Sequence, residues 1–319
     1  AVGDVPMSGT ANTVNLNTNY NLTDKLKASV AFTYVKTEAE NRNATGYDNS
    51  NPMQAFTQWW QSNLDVERLR TQQNTSEGNQ YTWNPRGIIE DGSGNLLSFD
   101  SRPNFFDNPS WVRENYLQED VRNRVFGNAN LSYAITDKLT FTTQFGTDFF
   151  QFSSREGTPL RSANAASYAE TERRFQETNI EARLNYNTDI NEDLTFSGFI
   201  GVNRMRNFQK RTTIATNGGI VVDKFWNIGN SALDPTASTF ESNRGINSVF
   251  GSASFGFKDM LFLDLSARND WSSALPEQNN SYFYPSASLS FALSELESIK
   301  AVNPPLTLPL MIPMTTACS

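Results

Sequence analysis

Along most of the chain, apolar and polar side chains alternate with a period of two. In TVNLNTNYNL, residues 13–22, Val14, Leu16, Tyr20 and Leu22 fall on one side and Asn15, Asn17, Asn19 and Asn21 on the other. That period predicts a strand with one oily face and one wet face. A short turn, Thr23-Asp24-Lys25, follows, and LKASVAFTYV alternates again. The unit returns near residue 130: YNLTDKLKASVAF and YAITDKLTFTTQF are two versions of one hairpin. A third version, IEARLNYNTDINEDLTFSGFIGV, turns at Asn191-Glu192-Asp193. A fourth, VFGSASFGFKDMLFLDLSARND, turns at Lys258-Asp259-Met260, and in it Phe250 falls on the polar side, against the pattern. Asp and Asn suit such turns because their side chains cap nearby backbone groups.

The pattern predicts about nine strands, at 12–22, 26–37, 122–135, 139–153, 173–190, 194–212, 244–257, 261–271 and 282–294. Long polar connections at about 38–120, 154–172 and 213–241, and a shorter one at 272–281, alternate with the tight turns. Within the first connection, PMQAFTQWWQSNLDVERLR, residues 52–70, predicts a helix opened by Asn51 or Pro52. Gly218-Gly219 predicts a tight turn in the loop after the sixth strand.

A soluble sandwich has no reason to keep every second turn tight while the others grow. An outer-membrane barrel does, with short periplasmic turns and longer extracellular loops. The fold class expected is therefore all-β: an antiparallel transmembrane β-barrel segment with long extracellular loops, in the cell outer membrane. Nine strands is an odd number, and an open edge in lipid leaves backbone groups unpaired. The chain thus reads as part of a larger barrel, spanning residues 1–303. From residue 304 the text becomes PPLTLPLMIPMTTACS, with four prolines and no alternation. Residues 304–319 read as an irregular tail, a sequence out of frame or the end of a truncated gene model.

Composition narrows the chemistry. The net charge is −8 with no basic cluster, which argues against nucleic acid. The chain has no histidine, which removes histidine-based triads and histidine-ligated zinc. Its one cysteine, Cys318, builds no disulfide framework. No enzyme activity, cofactor or metal is expected. No apolar run approaches the length of a spanning helix.

RNDWSSALPEQNNSYFYPS, residues 268–286, resembles the barrel of the SusC/RagA family of TonB-linked outer-membrane transporters. NPMQAFTQWWQ, DNPSW, NRVFGNANLSYAITDKL and ATNGGIVV resemble it too, and the likeness covers about residues 8–303. It implies a roughly 22-stranded barrel, of which this chain supplies about nine strands and no plug domain. It also implies import of large nutrients, oligosaccharides or peptides. The implied partners are outer-membrane lipid, a SusD-like surface lipoprotein acting as a lid, and the TonB complex, which engages parts absent from this sequence.

Candidate contacts follow. Trp59 and Trp60, with Phe56, form either a stacking platform for substrate or lid, or an anchor for a large loop. Neighbouring tryptophans on a helix cannot face the same way, which favours the anchor. Trp83, Trp111, Trp226 and Trp271 sit in or near long connections, and one or more of them are further candidates for substrate or lid contact. Glu181, Arg183, Asp189, Asp264 and Arg268 are expected to face the lumen. Tyr20, Tyr34, Phe149, Tyr282 and Tyr284 are expected in aromatic girdles. The alternative function is a secreted all-β glycan-binding or adhesion module, whose oily faces would meet in a dry core. A glycoside hydrolase with paired carboxylates is a third reading, but no spacing selects a pair.

Overall fold

The structure, a computed structural model, describes residues 8–49, 51–57 and 60–293 and the backbone of 310–314. Ten strands form one antiparallel meander: β1 (Ser8–Asn21), β2 (Leu26–Glu40), β5 (Leu117–Ala134), β6 (Leu139–Thr158), β7 (Ser167–Asn191), β8 (Leu194–Ile220), β9 (Ser231–Phe257), β10 (Leu261–Ser272), β11 (Ser281–Phe291) and β12 (Leu310–Met314). Each pairs with the next in that order. The β2–β5 connection holds a separate hairpin, β3 (Pro85–Glu90) and β4 (Leu96–Pro103), and three short helices, α1 (Pro52–Thr57), α2 (Val66–Thr71) and α3 (Pro109–Asn115).

All nine expected strands form, and several run longer than expected: β7, β8 and β9 have 25, 27 and 27 residues. The connections at 154–172 and 213–241 are correspondingly shorter, at residues 159–166 and 221–230. Their Thr- and Ser-rich flanks read as loop but continue the ladder, as where the Thr171 and Thr213 hydroxyls meet at 3.0 Å across β7 and β8. Gly218 and Gly219 do adopt positive φ, 69° and 100°, yet they lie within β8, where its pairing to β9 slips. They form a bulge and not a loop turn. In β12, Pro313 stands opposite Ser288 of β11. Residues 304–309 and 315–319 lie outside the described residues.

The helix expected over 52–70 is two helices. Leu64 N–H donates to Gln61 O in a turn around Ser62 and Asn63. Asp65 then caps α2 by accepting from Arg68 N–H at 2.9 Å. Short polar side chains that bond the local backbone favour such a break over a continuous helix.

The tight turns all lie at one end of the sheet. In both Thr-Asp-Lys turns the threonine does the capping: Thr23 Oγ1 accepts from Leu26 N–H at 3.0 Å and Thr136 Oγ1 from Leu139 N–H at 3.1 Å. At the β9–β10 turn Lys258 and Asp259 sit at φ 52° and 54°, the left-handed pair of a two-residue hairpin turn.

Residues that pair across strands share a face. One face carries Val14, Leu16, Val125, Ile180, Leu184, Ile200, Val202, Val249, Leu263 and Leu265, all of them exposed. The other face is polar. The fully buried apolar residues are mostly elsewhere: Ala55, Leu69, Phe106, Trp111 and Val112 all belong to the β2–β5 connection. The compact core therefore lies in the large loop, at the end of the sheet opposite the tight turns.

Candidate functional site

Cross-strand register sets Thr142, Arg183, Gly201, Phe250, Arg268 and Tyr284 in one row of the polar face. The adjacent row is Gln144, Glu181, Asn203, Ser248, Asp270 and Tyr282. The Arg183 guanidinium lies 5.0 Å from the centre of the Phe199 ring and 5.3 Å from that of Phe250. Arg268 approaches Phe250 from the next strand, also at 5.3 Å. Gly201 makes room: a Cβ there would meet the Phe250 ring at 2.8 Å and Arg183 Cγ at 3.1 Å. Carboxylates balance both cations, Glu181 to Arg183 at 2.5 Å and Asp270 to Arg268 at 2.8 Å.

The motif repeats nearer the long loops. Arg122 stacks over Phe150 at 4.3 Å, Phe150 stacks on Phe175 at 5.1 Å, and Arg124 lies 4.6 Å from Phe126 while gripping Asp148 through two hydrogen bonds. The polar face is thus a wall of arginines laid on phenylalanines. Each such contact is worth about 0.5–1 kcal/mol when exposed and more when dry.

The five charged residues singled out from the sequence share this face. Glu181 and Arg183 are neighbours on β7, and Asp264 and Arg268 lie on β10, where Ser254 donates to Asp264. Asp189 lies farther along β7 by the tight turn, opposite Thr195. Tyr282 and Tyr284 also stand on this face, paired with Asp270 and Arg268. That corrects their expected place in an aromatic girdle of the apolar face: their alternation with the exposed Phe283 leaves no other position.

The tryptophans are scattered. Trp60 packs between Phe56, at 4.5 Å, and Trp83, at 5.4 Å, forming a half-buried aromatic group in the large loop. Trp59 lies outside the described residues. Trp111 is 4 % exposed and turns its edge toward Tyr116 inside the loop core. Trp226 covers Gly157, where a Cβ would meet its ring at 2.5 Å, and lies beside Tyr168 at 6.1 Å. The structure joins Trp60 to Trp83 and keeps Trp111 and Trp226 apart from them.

A knot of polar groups holds the large loop to the β6–β7 connection. The Asp107 carboxylate accepts from Gln80 Nε2 at 2.6 Å, Ala163 N–H at 2.7 Å, the Tyr116 hydroxyl at 2.8 Å and the Ser162 hydroxyl at 2.5 Å. Asn108 beside it donates to Leu69 O and Tyr81 O and caps α3. Burial pushes the Asp107 carboxyl up, its four donors opposing, and burial beside that carboxylate pushes the Tyr116 phenol up. Next to this knot is a polar groove of about 620 Å³, lined among others by Arg42, Asp48, Gln118, Asp120, Glu156 and Asn164. Arg42 spans it to reach Asp120 at 2.7 Å. Periodicity could not single out this groove, because its residues come from two connections and from the tips of three strands.

No protein-family profile and no curated protein matches the sequence. Solved structures do match it. The RagAB peptide importer in its closed-closed state aligns with a TM-score of 0.68 at 15% identity, over 92% of this chain and 31% of that one. The same importer in its open-open state gives 0.66 at 16% identity over the same shares, and a further structure of the RagAB peptide transporter gives 0.66 at 13%. The fold is SusC/RagA-like. The chain spans about a third of the importer chains it matches, 31% of their length. At these identities the shared property is the fold. Among the described residues no group of three or more Cys, Asp or Glu is placed to hold a metal ion.

Proposed function

We propose that this chain is wall and long-loop segment of a TonB-dependent outer-membrane importer of large nutrients, oligosaccharides or peptides. The observation that carries the reading is the pairing of an exposed apolar face with an arginine-lined polar face on one up-and-down sheet. Fully burying each aliphatic side chain from water is worth about 1.5–3 kcal/mol, so a face of ten exposed ones needs an apolar surround. On β8 the apolar-face positions from Leu194 to Val202 are uninterrupted by charge, a run of about 9 residues, as a tilted strand needs to cross a bilayer. Aromatics flank that belt on the same face: Tyr133 and Tyr186 toward the tight turns, Tyr34, Phe149 and Phe208 toward the long loops. Such bands suit the two membrane interfaces.

In this reading Glu181, Arg183, Asp189, Asp264 and Arg268 face the lumen, and the arginine–phenylalanine wall offers a passing oligosaccharide or peptide both stacking and charge. Trp60 and Trp83 are the loop tryptophans best placed to meet substrate or a SusD-like lid, and Trp226 and Trp111 anchor the loops. The strands from Ser8 to Phe291 form the barrel segment in this reading. The TonB complex acts through parts of the protein outside this segment.

The test is uptake by cells that carry or lack the gene, using fluorescent oligosaccharides and fluorescent peptides as separate probes. Loss of uptake of one class on deletion, with the same loss on collapsing the proton-motive force, supports the reading. Unchanged uptake of both classes, with the protein recovered in the aqueous fraction without detergent, overturns it.

A further inference from the structure

Just beyond the apolar belt, toward the long loops, the same face of the sheet turns cationic. Arg204 and Arg206 on β8 and Arg174 on β7 alternate with Val202 and Phe208 on that face. The Arg206 guanidinium lies flat across Gly245, where a Cβ would meet its Nη1 at 2.7 Å. It donates to Met205 O at 2.8 Å and to Asn247 Oδ1 at 3.1 Å, both uncharged, and among the described residues no carboxylate pairs with it. Around it opens a groove of about 660 Å³ lined by Gln176, Thr178, Phe208, Asn247 and Trp271. Directly below is a second, mostly apolar groove of about 550 Å³, lined on this face by Ile200, Val249, Gly251, Ala267 and Phe283, with Asn269 between Val249 and Phe283. Gly251 and Ala267 stand side by side in one row and give it depth. Trp271 lines both grooves.

We propose that these joined grooves bind a phosphorylated acyl lipid of the surrounding leaflet, its phosphate on Arg206 and Arg204 and an acyl chain in the Gly251–Ala267 groove. The inference rests on the reading that the apolar face meets lipid. Charge complementarity selects an anionic headgroup, and guanidinium groups with free N–H donors match phosphate oxygens in geometry as well as charge. The continuity of a cationic groove with a mostly apolar one selects an amphiphile over free phosphate. An indole at the junction suits the interface between headgroup and chain.

The experiment uses the full gene product in phosphatidylcholine vesicles with or without diphosphoryl lipid A, following Trp271 by quenching from brominated acyl chains. Arg204→Gln combined with Arg206→Gln removes the charges, Ala267→Leu fills the apolar groove without adding a fluorophore, and Lys25→Gln at the opposite end is the control. Lipid A should bind with saturation, about tenfold more weakly in either groove variant and unchanged in Lys25→Gln. Inorganic phosphate should not displace it. Equal binding by all variants, or displacement by inorganic phosphate, overturns the proposal. Insertion is read separately, by quenching with phosphatidylcholine alone. If that quenching is absent the membrane reading itself fails; if it is present and lipid A shows no preference, only the lipid site fails.

Discussion

Phe250 is a residue at which the alternation rule breaks, and the break has a physical cause. A phenylalanine on a polar face is costly unless its ring has partners, and here two guanidiniums, Arg183 and Arg268, use it from opposite sides. Phe250→Leu keeps much of the apolar volume and removes both cation–ring contacts. It should cost about 1–2 kcal/mol in denaturant unfolding from micelles, and the cost should shrink in an Arg183→Gln background. An equal cost in both backgrounds would show that the rings and cations are not coupled. Trp226 makes a second residue-scale case. It rests on Gly157, so Gly157→Val should expel the indole and shift its fluorescence toward the wet value while leaving sheet content unchanged. The sequence showed that Phe250 was misplaced and that Trp226 sat in a connection. It could not show what either touched, because each partner lies on a different strand.

At the scale of elements, strands were more legible than what joins them. Period-two alternation found nine strands because every residue of a half-exposed sheet contributes to the signal. It missed β3 and β4, whose apolar residues Ile88, Ile89, Leu96 and Leu97 are exposed on a short hairpin within a polar loop. It also missed the knot around Asp107, whose partners lie 9 to 56 residues away. That knot carries a prediction of its own. Asp107→Ala leaves the Gln80 amide and the Ala163 N–H without their acceptor, so it should loosen residues 41–116 by about 2–3 kcal/mol, read as faster local hydrogen exchange and proteolysis with the strands unaffected. The pH dependence has a definite sign. Because burial raises the folded carboxyl above its unfolded value, folding of the loop favours the protonated form. Loop stability should be greatest below the ordinary carboxylate range and fall as pH rises through the raised value. Asp107→Asn should flatten that profile, and a profile that rises with pH instead would show that the four donors outweigh burial.

For the whole molecule, the decisive relation is between strand length and the width of the apolar belt. A strand of 27 residues at about 3.3 Å per residue reaches roughly 90 Å, while a bilayer's hydrocarbon core is about 30 Å thick. Most of β8 and β9 therefore extends past the belt, and the extension is on the long-loop side, where Arg204, Arg206 and Lys210 replace valine and isoleucine on the outward-alternating positions. That asymmetry predicts a labelling pattern no soluble sandwich would give. Single cysteines placed in a Cys318→Ser background at Ile200 and Val202 should react with a lipid-soluble maleimide and resist a water-soluble one. Cysteines at Ser197 and Asn203, on the other face, should reverse that preference. At Lys210, on the same face as Ile200 but beyond the belt, the water-soluble reagent should win. Alternation over 197–203 together with loss of lipid reactivity at 210 would locate the membrane boundary between Val202 and Lys210. Resistance to both reagents at Ile200 and Val202 would instead mean that the apolar face is covered by protein, and the sandwich-like binding module would then account better for the same strands.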